Sequence, residues 1–241
     1  MSEDRLFAET STDPGSFEFN EEVADVFPDM LRRSIPGYAA SIEAIGALAA
    51  RYVQPSTNCY DLGCSLGAST LAMRHNIEVP DCQIIAVDLA PAMISRCREL
   101  IAADASDIPV TVVEEDVRRA QIRQASMVVM NYTLQFLSVS ERNAMIRRIY
   151  DGLVEGGIFV LSEKVVDEDE DVEALLAHMH YEFKRRNAYS ELEISRKRTA
   201  IENVLVPESI SVHRQRLMTA GFRHVGVWLR HFNFVSLVAT K

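Results

Sequence analysis

Residues 61–67, Asp61-Leu62-Gly63-Cys64-Ser65-Leu66-Gly67, form a glycine-bearing turn between two ordered stretches. It follows a short apolar run, Asn58 to Asp61, and opens a helical stretch, Ala68 to His75. Glycines at such a turn let the backbone bend sharply and approach a ligand closely. Open α/β sheets bind nucleotides at this place, outside the carboxyl ends of their strands. The next apolar run, Gln83 to Asp88, ends on a carboxylate 21 residues after Gly67, about where an acidic side chain meets ribose hydroxyls. The loop lacks the G-x-G-x-x-G arrangement, since Gly63 and Gly67 stand four apart with Ser65 between them. A carboxylate at Asp61 would repel a pyrophosphate but attract an ammonium group. The pattern therefore points to S-adenosylmethionine rather than to a dinucleotide.

Working outward, further strands are expected at Val110 to Glu114, Ser126 to Asn131 and Ile158 to Ser162. Helical stretches at Ala92 to Ala103 and Ser140 to Leu153 separate them. Repeated β-α-β alternation implies a doubly wound, mostly parallel α/β sheet with helices on both faces. The alternation stops after the fifth strand, and residues 167–205 read as an inserted helical segment within a single domain spanning 1–241. The insert opens with Asp167 to Asp171 and reaches Lys184, Arg185 and Arg186, charges that suit a helix dipole. Ser190 and Glu193 have capping-box spacing, so a second helix is expected to carry Arg196, Lys197 and Arg198 on its early turns, the first two as solvated charges. A helix ending near Gly221 then leads to two strand-like runs, Val225 to Arg230 and Phe234 to Ala239, expected to form a C-terminal antiparallel pair.

Composition narrows the function. The chain has 241 residues, 48% hydrophobic and 25% charged, with a net charge of −10. An acidic balance is the opposite of the footprint left by phosphate-neutralising proteins, so direct nucleic-acid binding is not expected. No run of 18 or more apolar residues occurs, and residues 1–16 carry Glu3, Asp4, Glu9 and Asp13 where a secretory signal needs a basic start. The expectation is a cytoplasmic protein with no membrane contact. Cys59, Cys64, Cys82 and Cys97 form no C-x-x-C pair, and His178 and His180 stand two apart on a helix, so no metal is expected. Cys64 reads as a small loop residue rather than a nucleophile, because no activating neighbour is near it in sequence.

The D-x-G-x-S-x-G loop, Asp88, Asp116-Val117 and Leu153-Val154-Glu155-Gly156-Gly157 resemble class I S-adenosylmethionine-dependent methyltransferases. Motifs outside that core narrow the likeness: Phe27-Pro28-Asp29-Met30, Ser34-Ile35-Pro36-Gly37-Tyr38, Asn131-Tyr132-Thr133-Leu134-Gln135-Phe136 and Tyr189-Ser190-Glu191-Leu192-Glu193-Ile194-Ser195. With these, the chain after about residue 17 resembles the carboxy-S-adenosyl-L-methionine synthase family. The resemblance implies that prephenate gives up a carboxyl carbon as carbon dioxide, captured by the deprotonated methyl of S-adenosylmethionine, leaving phenylpyruvate. It implies a homodimer and a functional link to a transfer RNA carboxymethyltransferase acting on the wobble uridine. It puts cofactor contacts on Tyr38, Gly63, Cys64, Ser65, Asp88, Leu89, Asp116, Val117 and Asn131, and a carboxylate-binding arginine on Arg198, with Tyr38 and Arg198 nearest the chemistry.

Two positions depart from the family pattern: Leu89 where Asn is expected, and Ala188 where Gly is expected. Asp116 also admits a local role, as a turn residue bonded to its own backbone. The guanidinium of Arg198 offers a carboxylate a planar, bidentate and permanently charged partner. Its place on a long excursion from the core predicts that it serves the other subunit of a dimer. An ordinary small-molecule methyltransferase would need an acceptor nucleophile in place of Arg198. A non-catalytic scaffold would bind the cofactor and turn nothing over.

Overall fold

The computed structural model describes residues 4–6, 17–202 and 204–241. Two helices precede the first strand, and neither was evident from the alternation. α1 (Glu21–Ser34) starts at Asn20, whose side chain accepts from the Val23 N–H at 3.0 Å. Glu21 and Glu22 sit in its first turn and Arg32 and Arg33 in its last, matching the helix dipole. α2 (Tyr38–Tyr52) follows after Gly37, held at φ +73°, and packs Ile45 and Ala49 against the sheet.

The strands are β1 (Asn58–Leu62), β2 (Gln83–Asp88), β3 (Val110–Glu114), β4 (Ala125–Asn131), β5 (Leu153–Val166), β6 (Glu208–Ser209), β7 (His224–His231) and β8 (Phe234–Thr240). Their order is β3-β2-β1-β4-β5-β8-β7, with the two-residue β6 paired beyond this path to the end of β5. Pairings from β3 to β5 are parallel. β4 is buried along both faces, as a central parallel strand must be. Met127 and Val129 meet α2 and α3 (Ala68–Arg74), while Val128 and Met130 meet α5 (Val139–Gly152) and α8 (Ile210–Ala220). α4 (Pro91–Ala103) covers β2 and β3 on the α3 side.

One expectation at the C-terminal side needs correction. β5 runs well past 158–162 at both ends, because Gly156 at φ +75° and a register shift opposite Ala125 carry Leu153 onward in pairing. The terminal pair is antiparallel as expected, with β8 inserted between β5 and β7 and antiparallel to both. Only β8 therefore runs against the others on this path, and β7 is the edge.

Between β5 and β6 lie α6 (Glu170–Arg186) and α7 (Glu191–Glu202). Asp169 caps α6, accepting from Asp171 and Val172, and α7 opens on the expected reciprocal box, Ser190 N–H to Glu193 at 2.8 Å and Glu193 N–H to Ser190 at 3.2 Å. Residue 203 of the expected insert lies outside the described residues. Lys197 is no solvated charge: it is 4% exposed, ion-paired to Asp4 at 3.1 Å and hydrogen-bonded to Ser34 and Tyr189. Helical spacing explains this, since Glu193, Ile194, Lys197 and Ala200 share the inward face of α7. Among the described residues, no helix is long and apolar enough to cross a membrane.

Candidate functional site

In the strand order the chain reverses direction between β1 and β4, and at such a switch point two loops part to leave a crevice at the strand ends. A cavity of about 1220 Å³ opens there, roofed by α1, α6 and α7. The loop after β1 is tied to β2, with Gly63 and Cys64 N–H groups donating to Val87 C=O at 2.8 and 3.0 Å. A side chain at Gly63 could not be accommodated: φ is +85°, and a Cβ would lie 2.2 Å from the Thr133 hydroxyl oxygen.

Asp88 closes the end of β2 and accepts from Ser65 N–H and Ala90 N–H, each at 2.9 Å. Burial raises its carboxyl above the usual range, and those N–H donors pull it back. Its oxygens keep lone pairs for further donors, as a vicinal diol would supply. Asn131, ending β4, lines the cavity with its Oδ1 buried and without a partner. A buried acceptor left unpaired is costly, and a ligand ammonium would satisfy it.

The structure brings Tyr38, Gly63, Cys64, Ser65, Asp88 and Asn131 to this wall, and Leu89, Asp116, Val117 and Arg198 to the same cavity. Asp61 stands apart. It is fully buried behind the loop and does not line the cavity; Thr70 Oγ1 donates to it at 2.6 Å, and its Oδ1 has no partner. Burial pushes its carboxyl up to about 6. Burial and then the nearby Asp61 charge push the Tyr38 phenol up, so Tyr38 stays a neutral hydroxyl.

Asp116 makes the local bond its alternative reading required, accepting from Arg118 N–H at 2.9 Å, and is also gripped by the Arg118 side chain, which lowers its carboxyl. Leu89 is 62% exposed at the rim, where Asn would have added a polar group. The Cys64 thiol is pushed up by its Cys97 partner and by burial, which disfavours a nucleophilic thiolate. Arg198 occupies an exposed position on the rim of its own chain's cavity.

Sequence reading missed a second group on the α6 side: Lys164, His180, Lys184, Asn233 and the buried Lys197. His180 Nε2 donates to Ser34 C=O at 2.9 Å, its ring packs on Phe234, and burial lowers its pKa to about 3. The available signal was one-turn spacing, His180 to Lys184, pointing inward from a helix that otherwise reads as solvated. Phe17 and Phe19, which no motif announced, form an aromatic wall with Phe136 at the end of the Asn131 to Phe136 motif. Among the described residues, no group of three or more His, Cys, Asp or Glu could hold a metal.

Comparison with known proteins agrees with this geometry. A family model described as a methyltransferase domain matches residues 60–157. Human N-acetylserotonin methyltransferase in complex with S-adenosylmethionine superposes with a TM-score of 0.61 at 16% identity, over 91% of this chain and 55% of that one. Magnesium protoporphyrin IX methyltransferase from Synechocystis gives 0.56 at 14%, over 85% and 80%. These likenesses establish the S-adenosylmethionine-dependent methyltransferase fold. The carboxy-S-adenosyl-L-methionine synthase of Aliivibrio fischeri is 54% identical over 99% of this chain and 98% of its own length. That of Pectobacterium atrosepticum is also 54% identical, over 99% and 96%. On identity of this depth across nearly the whole length, the chain is a transferase belonging to the carboxy-S-adenosyl-L-methionine synthase family.

Proposed function

We propose that this chain binds S-adenosylmethionine at the ends of β1, β2 and β4 and carboxylates its methyl carbon with the carboxyl group of prephenate. The carboxyl carbon leaves as carbon dioxide and the ring hydroxyl as hydroxide while the ring aromatises. The methyl loses a proton and takes up the carbon dioxide, and the other products are phenylpyruvate and water. The observation that carries the reading is one cavity lined by Asp88, Asn131 and Arg198 in a chain 54% identical to carboxy-S-adenosyl-L-methionine synthases. Its volume of about 1220 Å³ exceeds the roughly 300–1,000 Å³ of a single small-ligand site, which leaves room for two reactants together.

The residues fit the ligand. Asp88 would accept the ribose hydroxyls, and the orphan amide oxygen of Asn131 would accept from the ammonium. Val117, buried, would flank the base beside Asp116. Asp61 acts from behind, fixing the loop through Thr70. When bound, S-adenosylmethionine supplies a methyl carbon beside a positive sulfur, acidic enough to lose a proton and take up carbon dioxide. Tyr38, held neutral, offers a hydroxyl and no charge. Arg198 holds the carboxyl group with a planar fork, and a cation placed there favours a carboxylated product over delivery of the methyl to a nucleophile.

On this reading the product feeds a transfer RNA carboxymethyltransferase in the cytoplasm, and the acidic chain does not itself hold RNA. Incubation with S-adenosylmethionine and prephenate should yield carboxy-S-adenosylmethionine and phenylpyruvate by mass spectrometry. Arg198→Lys should cut that yield while leaving binding of unmodified S-adenosylmethionine nearly intact. Accumulation of S-adenosylhomocysteine by the wild type would return the chain to the ordinary methyltransferases, and binding without turnover would make it a scaffold.

A further inference from the structure

Resting on the prephenate reading, we propose that Lys184 and Lys164 form a second anion subsite, which holds the pyruvyl carboxylate that remains on phenylpyruvate, while Arg198 serves the carboxyl group that is transferred. Prephenate carries two carboxylates, and only one leaves it. The other needs a partner that does not compete with Arg198.

The α6 side of the cavity is built for such a group. Lys184 lies in the last turn of α6, where the helix dipole favours a cation, one turn beyond the buried His180. Lys164 enters from β5, its backbone fixed by the Gln135 side chain at 3.0 Å and by pairing with Phe234 on β8. Lys197 and Arg198 approach from α7. Glu173 and Glu191 also line the cavity, yet among the described residues no carboxylate forms an ion pair with Lys184. Asn233, 2% exposed beside Phe234, faces the same space with its Oδ1 unpaired.

The electrostatics say what is missing. Burial first, then the charges of Lys197, Lys164 and Arg198, lower Lys184 to about 7. His180, its neighbour on α6, is neutral at that pH and adds no charge. An ammonium held among like charges in a half-enclosed cavity is relieved by a bound anion, and a carboxylate is the anion the substrate brings. Binding should therefore draw a proton onto Lys184 when it starts above about pH 7.

Phenylpyruvate, which bears only the retained carboxylate, is the probe. Calorimetric titration into the protein saturated with S-adenosylmethionine should give an affinity that falls as pH rises through about 7 and 8. Lys184→Gln should weaken phenylpyruvate about tenfold or more, the loss expected when a charged hydrogen bond is removed. Lys184→Arg should restore the affinity and flatten the pH dependence, since a guanidinium does not deprotonate there. Unchanged S-adenosylmethionine affinity in Lys184→Gln certifies its fold, and the wild-type pH profile needs no variant at all. Wild-type affinity in Lys184→Gln, or a profile flat across pH 6 to 8.5, overturns the subsite. Absence of carboxylated product from the wild type is a separate result and strikes the prephenate reading instead.

Discussion

At the end of β2, Asp88 accepts two backbone N–H groups, from Ser65 and Ala90, and so both shapes the loop and presents oxygens to the cavity. On the proposed reading, replacing it with Ala removes charged acceptors from the ribose diol, which should weaken S-adenosylmethionine binding by about 2 kcal/mol or more in calorimetry. Binding unchanged within error would mean that the ribose sits elsewhere. Ala188 gives a test of opposite sign. It stands at φ +64°, in the left-handed region that costs a residue with a Cβ about 1 kcal/mol. The Gly that the family resemblance leads one to expect at this turn would relieve that strain, and Ala188→Gly should stabilise the chain by up to about 1 kcal/mol in urea unfolding. No gain would show that relief of strain is offset by the greater freedom of glycine in the unfolded chain.

Among elements, the C-terminal end of α1 holds the insert over the sheet. Arg33 Nε donates to Asn187 C=O at 2.7 Å, His180 reaches Ser34 C=O, and Lys197 reaches the Ser34 hydroxyl. The seat of α6 depends on His180 being neutral, and this ties it to pH. The folded pKa is near 3 against 6.5 for a free histidine. Between those values the unfolded chain binds the extra proton, so this contribution is fully present above pH 6.5 and is lost as pH falls toward 3. One proton corresponds to a slope of about 1.4 kcal/mol per pH unit. His180→Gln keeps a donor for Ser34 without titrating, so its unfolding free energy should fall less steeply than the wild type from pH 6.5 to 4. Parallel profiles would remove His180 from the account of acid lability.

For the molecule as a whole, the insert that roofs the cavity also carries exposed apolar side chains, Val172 and Leu175 on α6 and Leu192 on α7. Closed twofold symmetry is the commonest arrangement among homo-oligomers, and we propose a twofold dimer that covers this face. Arg198, exposed on the same insert, would then lie close to the facing subunit. Mixing Arg198→Ala chains with Asp88→Ala chains should restore about one working site per heterodimer when each arginine serves its partner's cavity. No restoration would assign each Arg198 to its own chain.

Elements whose cause is local were legible along the chain. The glycine loop after β1, the carboxylate ending β2, the alternation through β5 and the Ser190–Glu193 box each follow from turn chemistry, strand burial or capping within a few residues. Motif and spacing singled out Gly63, Ser65 and Asp88, whereas Asn131 and Arg198 entered only through the family resemblance; the structure brings all five to one cavity. The remainder depends on partners far apart in the chain. Lys197 is buried because Asp4, 193 residues away, meets it. The last strand inserts beside β5 because its pairing there satisfies β5 from Ile158 to Lys164. Asp61 lies behind the site rather than in it because Thr70 of α3 takes its carboxylate. The lysines beyond Arg198 gather because α6, α7 and β5 converge there, and charge repulsion among side chains from separate elements has no periodicity along the chain from which to read it.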